Sequence, residues 1–186
     1  TGVVEWAVEI FNQHQQAALD SLLSRLDDRE FSPFLLHGVT GSGKTEVYLR
    51  LIEGALAAGR QVLLLVPEIN LTPQLEARVA ARFPDTGLSS LHSELSEAAR
   101  VRNWRAALDG SARIVLGTRL AVFTPLPDLG LIVVDEEHDA SFKQQDGMRY
   151  SARDVAVFRA RERNIPIVLG SATPSLESWS NATDAR

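Results

Sequence analysis

Cysteine is absent from the 186 residues, so neither a disulfide nor a cysteine-ligated zinc site can form among them. Long hydrophobic runs are absent too, and the longest, such as residues 62–66, fall far short of the ~20 residues that a membrane-spanning helix needs. The first residues do not show the basic-then-apolar pattern of a secretory signal. We therefore expect a cytoplasmic protein without a membrane segment.

An excess of basic residues is also missing. The chain has 24 acidic residues against 19 lysines and arginines, for a net charge of −5, whereas proteins that bind nucleic acid without sequence preference usually carry a basic face. Basic residues nevertheless cluster locally, and each cluster fits either a nucleic-acid track or a solvated helix face. The first cluster is Arg100, Arg102, Arg105, Arg113 and Arg119, and the second is Lys143, Arg149, Arg153, Arg159, Arg161 and Arg163.

The chain contains a phosphate-binding loop, GVTGSGKT, at residues 38–45. Glycines at its turns let backbone N–H groups point toward an anion, Lys44 can reach the β and γ phosphates, and the Thr45 hydroxyl can bind Mg²⁺. An apolar strand precedes the loop and a helical pattern follows it, which is the setting this motif requires. A glycine-rich surface loop without a ligand is the alternative. The predicted nucleotide-binding residues are Gly38, Val39, Thr40, Gly41, Ser42, Gly43, Lys44 and Thr45.

An acidic segment follows a second apolar strand, residues 131–134. Because the carboxyl ends of parallel strands share one edge of a sheet, this segment can face the phosphate loop. Asp135 is then placed to hold magnesium, usually through water, and Glu136 to polarise the water that attacks the γ phosphate. An ordinary acidic loop after a strand is the alternative.

Apolar runs alternate with amphipathic stretches along the chain, which predicts βαβ units around a mostly parallel sheet. The length and the 45% hydrophobic content suit a single domain. Strands are predicted at 34–36, 62–66, 88–91, 113–117, 131–134 and 166–170. Helices are predicted near 12–26, 44–58, 73–83, 96–108 and 152–162, and residues 180–186 are read as a small polar tail.

The motifs together resemble those of superfamily two helicases and translocases, whose acidic box reads D-E-x-H. Residues 67–74 resemble motif Ia, residues 117–119 motif Ib and residues 170–174 motif III, in the order of the family. With the string KQQDGMRY after the acidic box, nearly the whole chain resembles the bacterial replication-restart helicases. The resemblance implies an α/β, RecA-like P-loop NTPase fold with helices on both faces of the sheet.

The resemblance implies further site residues. The catalytic set becomes Lys44, Asp135, Glu136 and His138. Gln15 matches the glutamine that contacts adenine, a task that suits an amide because it both donates and accepts hydrogen bonds. The alternative for Gln15 is an exposed helix start, and His14 stands where the family has an acid.

Contacts to DNA are expected from three segments. Thr72 reads as a helix cap before Pro73, whose neighbouring N–H groups can hold a phosphate, and the loop Asp139–Tyr150 mixes rings and cations that can stack bases. Thr118 and Arg119, after another strand, can make the same kind of backbone contact to a phosphate. A capping residue and a solvated arginine are the alternatives for these first two segments, and a plain connecting loop is the alternative for residues 139–150. The DNA-binding candidates are Thr72, Gln74, Thr118, Arg119, Phe142, Lys143, Arg149 and Tyr150. Ser171 and Thr173 are expected to couple the sites through His138, with a helix cap as the alternative.

The intact protein would, by this resemblance, use ATP and Mg²⁺ to move 3′ to 5′ on DNA and restart stalled replication forks. Its partners would be single-stranded and forked DNA, primosome proteins and single-stranded DNA-binding protein, and we expect a monomer. Residues 1–186 are expected to form one ATP-binding lobe, a fragment of a larger protein. The second lobe, the zinc-binding region and an amino-terminal DNA-binding region would lie elsewhere in that protein.

Two alternatives stay open. One is the lobe of another superfamily two translocase acting on DNA or RNA. The other is a nucleotide-switched binding module without motor activity, although the chain lacks the N-K-x-D string that reads guanine.

Overall fold

A six-stranded parallel sheet forms the centre of the protein. The computed structural model describes residues 13–26, 30–39 and 41–184. The strands run in the order β1-β8-β5-β2-β4-β3, and β6 and β7 pair in a separate antiparallel hairpin. Their bounds are β1 (Ser32–His37), β2 (Gln61–Leu65), β3 (Leu88–Leu91), β4 (Ile114–Gly117), β5 (Leu129–Val134), β6 (Lys143–Gln144), β7 (Tyr150–Ser151) and β8 (Pro166–Ser171).

In the part of the chain that the structure describes, six α-helices connect and cover the sheet. Thr72 caps α3 through its hydroxyl and is followed by Pro73, while Ser96 and Ser151 cap α4 and α5 in the same way. The helices are α1 (Gln13–Leu26), α2 (Lys44–Ala57), α3 (Pro73–Arg82), α4 (Glu97–Leu108), α5 (Ala152–Arg163) and α6 (Leu176–Asp184). The prediction of a polar tail from residue 180 is wrong, because α6 continues to Asp184.

Two apolar layers hold the helices against the sheet. Helices α1, α2 and α3 pack on one face, where Leu64 belongs to the core, and α4 and α5 pack on the other, where Leu63 and Leu65 belong to it. Strand β2 is buried along its whole length, as expected for a parallel strand covered on both faces. The predicted α/β fold with helices on both faces is confirmed.

The strand order decides which loops meet. All six strands run in one direction, so every segment that follows a strand lies at the same edge of the sheet. Strand β8 lies between β1 and β5. The phosphate loop after β1, residues 172–175 after β8 and the acidic segment after β5 are therefore immediate neighbours.

A buried glutamine stabilises the opposite edge of the sheet. Gln61 is fully buried, and its amide donates to the carbonyl oxygens of Ala107 and Ala112 at 2.9 and 2.8 Å. Its Oε1 accepts from the backbone N–H of Asp128 at 3.0 Å. One side chain thus joins β2 to the end of α4 and to the turn before β5.

Replacing this side chain tests its contribution to stability. Gln61→Leu should lower the free energy of unfolding by about 2–4 kcal/mol, because it leaves buried backbone groups without partners. Gln16→Leu is the matched control, since Gln16 lies exposed on α1, and an exposed substitution should change stability by less than about 0.5 kcal/mol. Urea unfolding measures both. Equal stability of the two variants would contradict the assigned role.

Candidate functional site

The phosphate loop turns sharply between β1 and α2. Gly41 and Gly43 have φ of 79° and 87°, in the left-handed region that glycine enters without a steric penalty. Gly43 is the N-cap of α2, and among the described residues no side chain caps this helix. The first N–H groups of α2 therefore point into the space beside the phosphate loop, and such N–H groups favour binding of an anion.

Lys44 lies between the loop and the acidic segment. Its side chain is only 9% exposed, and its Nζ donates to the carbonyl oxygen of Gly38 at 2.6 Å. The same Nζ lies 3.6 Å from Glu136 Oε1. Two segments that are 92 residues apart by number thus meet at one ammonium group.

The acidic segment leaves the sheet through an unusual turn. The backbone N–H of Asp135 still donates to the carbonyl oxygen of Leu65 at 2.8 Å, so β5 stays paired to that point. Glu136 then has φ of 46°, which is uncommon for a residue with a side chain and is often found at functional sites. Its carboxylate lies close to Lys44 on one side and accepts from the N–H of Ala172 at 3.4 Å on the other.

Asp135 is held by a residue that the sequence did not single out. The Tyr48 hydroxyl donates to Asp135 Oδ1 at 3.0 Å, and burial raises the pKa of Asp135 above its usual range while this hydrogen bond opposes the rise. Burial, followed by the nearby Asp135 charge, raises the pKa of Tyr48, so the phenol is a neutral donor. Asp135, Tyr48 and Thr45 border one small cavity of about 20 Å³, whose remaining lining is aliphatic: Leu49, Leu64, Val66, Leu75 and Val79.

Two oxygen-bearing side chains at the border of this cavity, and not its aliphatic lining, suit magnesium. Thr45 supplies a hydroxyl and Asp135 a carboxylate, and magnesium prefers oxygen ligands. Among the described residues, no group of three or more histidine, aspartate or glutamate side chains could hold a metal by itself. The site therefore suits an ion that keeps water and binds through one carboxylate and the phosphates of a ligand.

His138 joins the acidic segment to the segment after β8. Its Nδ1 lies 2.7 Å from the Ser171 hydroxyl, and its Nε2 lies 3.2 Å from the Thr173 hydroxyl. Nδ1 is also 3.7 Å from Glu136 Oε2. The three coupling residues expected from the sequence thus form one hydrogen-bonded group beside the carboxylate that could act as a base.

Glu137 is a second residue that the sequence did not single out. Its side chain is completely buried, where it accepts from the Ser175 N–H at 2.7 Å, the Ser178 hydroxyl at 3.0 Å and the Arg153 guanidinium at 3.2 Å. Removing one partner from such a buried ion pair leaves an uncompensated charge. Glu137 therefore ties the acidic segment to the starts of α5 and α6. The serines spaced by three at 175 and 178 were the signal available in the sequence.

The candidate DNA contacts after β2 and β4 differ in exposure. Gln74 is exposed, whereas the Thr72 hydroxyl accepts from the Leu75 N–H at 3.3 Å as a helix cap. Thr118 is only 3% exposed, and its N–H donates to the carbonyl oxygen of Leu91 at 3.1 Å. The backbone N–H of Thr118, expected to contact a phosphate, is thus used within the fold.

Arg119 holds the loop that follows the acidic segment. Its Nη1 lies 3.3 Å from both the Ser141 and the Lys143 carbonyl oxygens. The Tyr150 ring packs edge-on against Phe123, with 5.0 Å between the ring centroids. Both contacts connect the segment after β4 to the loop after β5, so Arg119 orders that loop.

Phe142 is buried, so the prediction that it contacts DNA is wrong. The sequence suggested that its ring stacks on DNA bases, but the ring is only 1% exposed and belongs to the core cluster that includes Val134 and Ala152. Burial of a large apolar ring stabilises the fold and removes the ring from solvent. Lys143 and Arg149 remain exposed and, with Tyr150, line a surface cavity of about 650 Å³.

The second basic cluster is divided between fold and surface. Arg153 pairs with Glu137, and Arg159 donates to the carbonyl oxygen of Thr124 at 2.9 Å. Burial, with the charge of Arg163, lowers the pKa of Arg159. The cluster is therefore not a continuous solvated track of cations.

Two expected nucleotide contacts lie outside the described residues. They are Thr40 and the side chain of Gln15, although position 15 itself belongs to α1. Across the described ranges, no helix is long and apolar enough to cross a membrane.

Comparison with known proteins identifies the family. Residues 12–181 match the DEAD/DEAH box helicase family. The Replication restart protein PriA of Bacillus subtilis is 48% identical over 168 residues, which are 90% of this chain and 21% of that protein. PriA of Haemophilus influenzae is 49% identical over 94% of this chain and 23% of its own length, and PriA of Helicobacter pylori is 41% identical over 97% and 28%. The chain thus spans at most 28% of these relatives.

Solved structures share the fold. RecG bound to a three-way DNA junction superimposes with a TM-score of 0.70 over 92% of this chain and 22% of that chain, at 22% sequence identity. The UvsW helicase from bacteriophage T4 gives a TM-score of 0.54 over 87% of this chain and 52% of that chain, at 18% identity. The family match covers most of the chain and includes the phosphate loop, the acidic segment and the histidine beside it. The chain therefore belongs to the DEAD/DEAH box helicase family.

Proposed function

We propose that this chain is the first of two ATP-binding motor lobes in a DNA helicase that restarts stalled replication. The observation that carries the proposal is the meeting of the phosphate loop and the acidic segment, with Lys44 Nζ 3.6 Å from Glu136 Oε1. The nearness of Thr45 and Asp135, which border one small cavity, supports it further. High identity to replication restart proteins favours this branch of the family over other translocases.

Different residues of the site would bind the phosphates, hold the metal and orient the attacking water. The N–H groups at the start of α2 and the Lys44 ammonium would bind the phosphates, and Lys44 would exchange the Gly38 carbonyl for a phosphate oxygen. When bound at Thr45 and Asp135, Mg²⁺ would neutralise charge on the phosphate oxygens. Glu136 would accept a hydrogen bond from the attacking water and orient it.

The surface next to the acidic segment would bind the DNA backbone. Lys143 and Arg149 are exposed in the loop after β5, which joins the acidic segment directly, and Arg119 holds this loop in place. Cations contact phosphates without reading the base sequence. A DNA strand bound here would act on the loop, and His138 with Ser171 and Thr173 would transmit the nucleotide state.

The rest of the intact protein would complete the motor. We propose that a second lobe closes over the nucleotide and supplies arginines, groups that raise hydrolysis by about 10³- to 10⁵-fold in related reactions. From the similarity to replication restart proteins, we also propose that the intact protein moves 3′ to 5′ on single-stranded and forked DNA. We propose that it contacts primosome proteins and single-stranded DNA-binding protein on the same basis. A cytoplasmic monomer is the proposed form.

Nucleotide binding tests the first step. Lys44→Ala should weaken binding of a fluorescent ADP to this chain by roughly 10- to 100-fold, because a charge-assisted hydrogen bond to phosphate is lost. Fluorescence anisotropy measures the affinity. Lys143→Ala is the matched control and should leave nucleotide affinity unchanged, since Lys143 lies outside the phosphate loop. Equal affinities of the two variants would contradict the assignment of the loop.

Turnover in the intact protein tests the motor role. Glu136→Gln keeps the size of the side chain but removes the base, so ATP binding should persist while ATP hydrolysis falls by about 10²- to 10⁴-fold and unwinding stops. The exposed Glu94→Gln is the control and should unwind at the normal rate. Strand displacement is compared on DNA and RNA forks. Normal unwinding by Glu136→Gln would exclude the assigned role, and displacement confined to RNA would indicate an RNA translocase.

A further inference from the structure

Tyr48 lies at the junction of three segments that form the site. It stands one helical turn after Lys44 on α2, where residues four apart share one face. The residue is only 2% exposed, and its hydroxyl donates to Asp135 Oδ1 at 3.0 Å. A helix that begins at the phosphate loop is thus bonded directly to the carboxylate proposed to serve the metal.

Gly170 of β8 forms the other wall around this hydroxyl. A methyl group added at Gly170 would overlap with the Tyr48 hydroxyl, so glycine is required where the phenol passes β8. The hydroxyl is thereby confined between β8 and the end of β5. Its position is determined by packing, and it does not depend on a ligand.

The hydrogen bond restricts the carboxylate of Asp135. An aspartate carboxylate rotates over a broad, roughly two-fold torsion, so a fixed donor on one oxygen selects one orientation. Oδ1 accepts from Tyr48, and the backbone N–H of Glu136 also donates to this carboxylate, so the carboxylate keeps one orientation in which its remaining lone pairs would accept from a metal-bound water. Asp135 and Thr45 border the same small cavity, so the carboxylate and the hydroxyl-bearing side chain lie near each other.

We propose that Tyr48 is a positioning residue for magnesium: its hydroxyl orients Asp135 so that the carboxylate and the Thr45 hydroxyl serve one ion. This inference rests on the proposed nucleotide site and adds a residue to it. Partners that orient metal-binding side chains typically change metal affinity by about 10- to 100-fold when removed. Since Asp135 would act through water, we expect the lower end of that range.

Tyr48→Phe separates this role from packing, because the ring remains in the core and only the hydroxyl is lost. The affinity of this chain for a fluorescent, slowly hydrolysed ATP analogue is measured with Mg²⁺ and with EDTA. The variant should bind the analogue with normal affinity in EDTA. Its increase in affinity on addition of Mg²⁺ should be roughly tenfold smaller than that of the unchanged chain. Magnesium binds the free nucleotide equally whichever variant is present, so the difference in gain between the variants isolates the contribution of the protein.

Two controls define the result. Thr124→Val removes another buried hydroxyl, one without a hydrogen-bond partner among the described residues, and should leave the magnesium gain unchanged. In an Asp135→Asn background, Tyr48→Phe should have no further effect on the gain, because the oriented carboxylate is already lost. Melting temperatures verify that each variant is folded.

The outcomes distinguish failure of the proposed nucleotide site from failure of the positioning role of Tyr48. If the unchanged chain binds no ATP analogue, or binds it without any gain from Mg²⁺, the proposed nucleotide site itself is wrong. If the unchanged chain shows the gain and Tyr48→Phe retains it, only the positioning role is overturned. Equal weakening of Tyr48→Phe in Mg²⁺ and in EDTA would also overturn it, because that pattern indicates a structural defect.

Discussion

The contact between Lys44 and Glu136, 3.6 Å between Nζ and Oε1, is the interaction on which the site depends. It exists because β1, β8 and β5 lie side by side and end at one edge. Strand order alone would bring the loops near each other. The positive φ of Glu136 and the buried stem of Lys44 convert that proximity into a cation and a carboxylate facing one space.

Two buried polar contacts extend this arrangement into the fold. Tyr48 links α2 to Asp135, and Glu137 links the acidic segment to Arg153 of α5 and to the start of α6. Such groups are costly to bury without partners, so each favours one arrangement of the segments it joins. A displacement of the acidic segment would therefore also displace α5, which lies next to the loop that carries Lys143 and Arg149. This is the physical route by which the proposed nucleotide and DNA sites would communicate.

Much of the fold could be predicted because its signals are local. Apolar runs marked the six sheet strands, and Thr72 with Pro73 marked the start of α3. The spacing of glycines, Lys44 and Thr45 identified the loop without reference to the rest of the chain. Phe142, Glu137 and Tyr48 were misjudged or missed because their surroundings come from distant segments. A ring in a polar loop and a glutamate in an acidic run both look exposed until the packing against α5 and α6 is known.

A crystal structure of this chain with Mg²⁺ and a slowly hydrolysed ATP analogue tests the central claim most directly. The account predicts the γ phosphate at Lys44 and the metal about 2.1 Å from the Thr45 hydroxyl, with Asp135 reaching the ion through water. Glu136 should face the γ phosphate. Phosphates bound away from the glycine loop, or a metal without contact to Thr45 and Asp135, would contradict it.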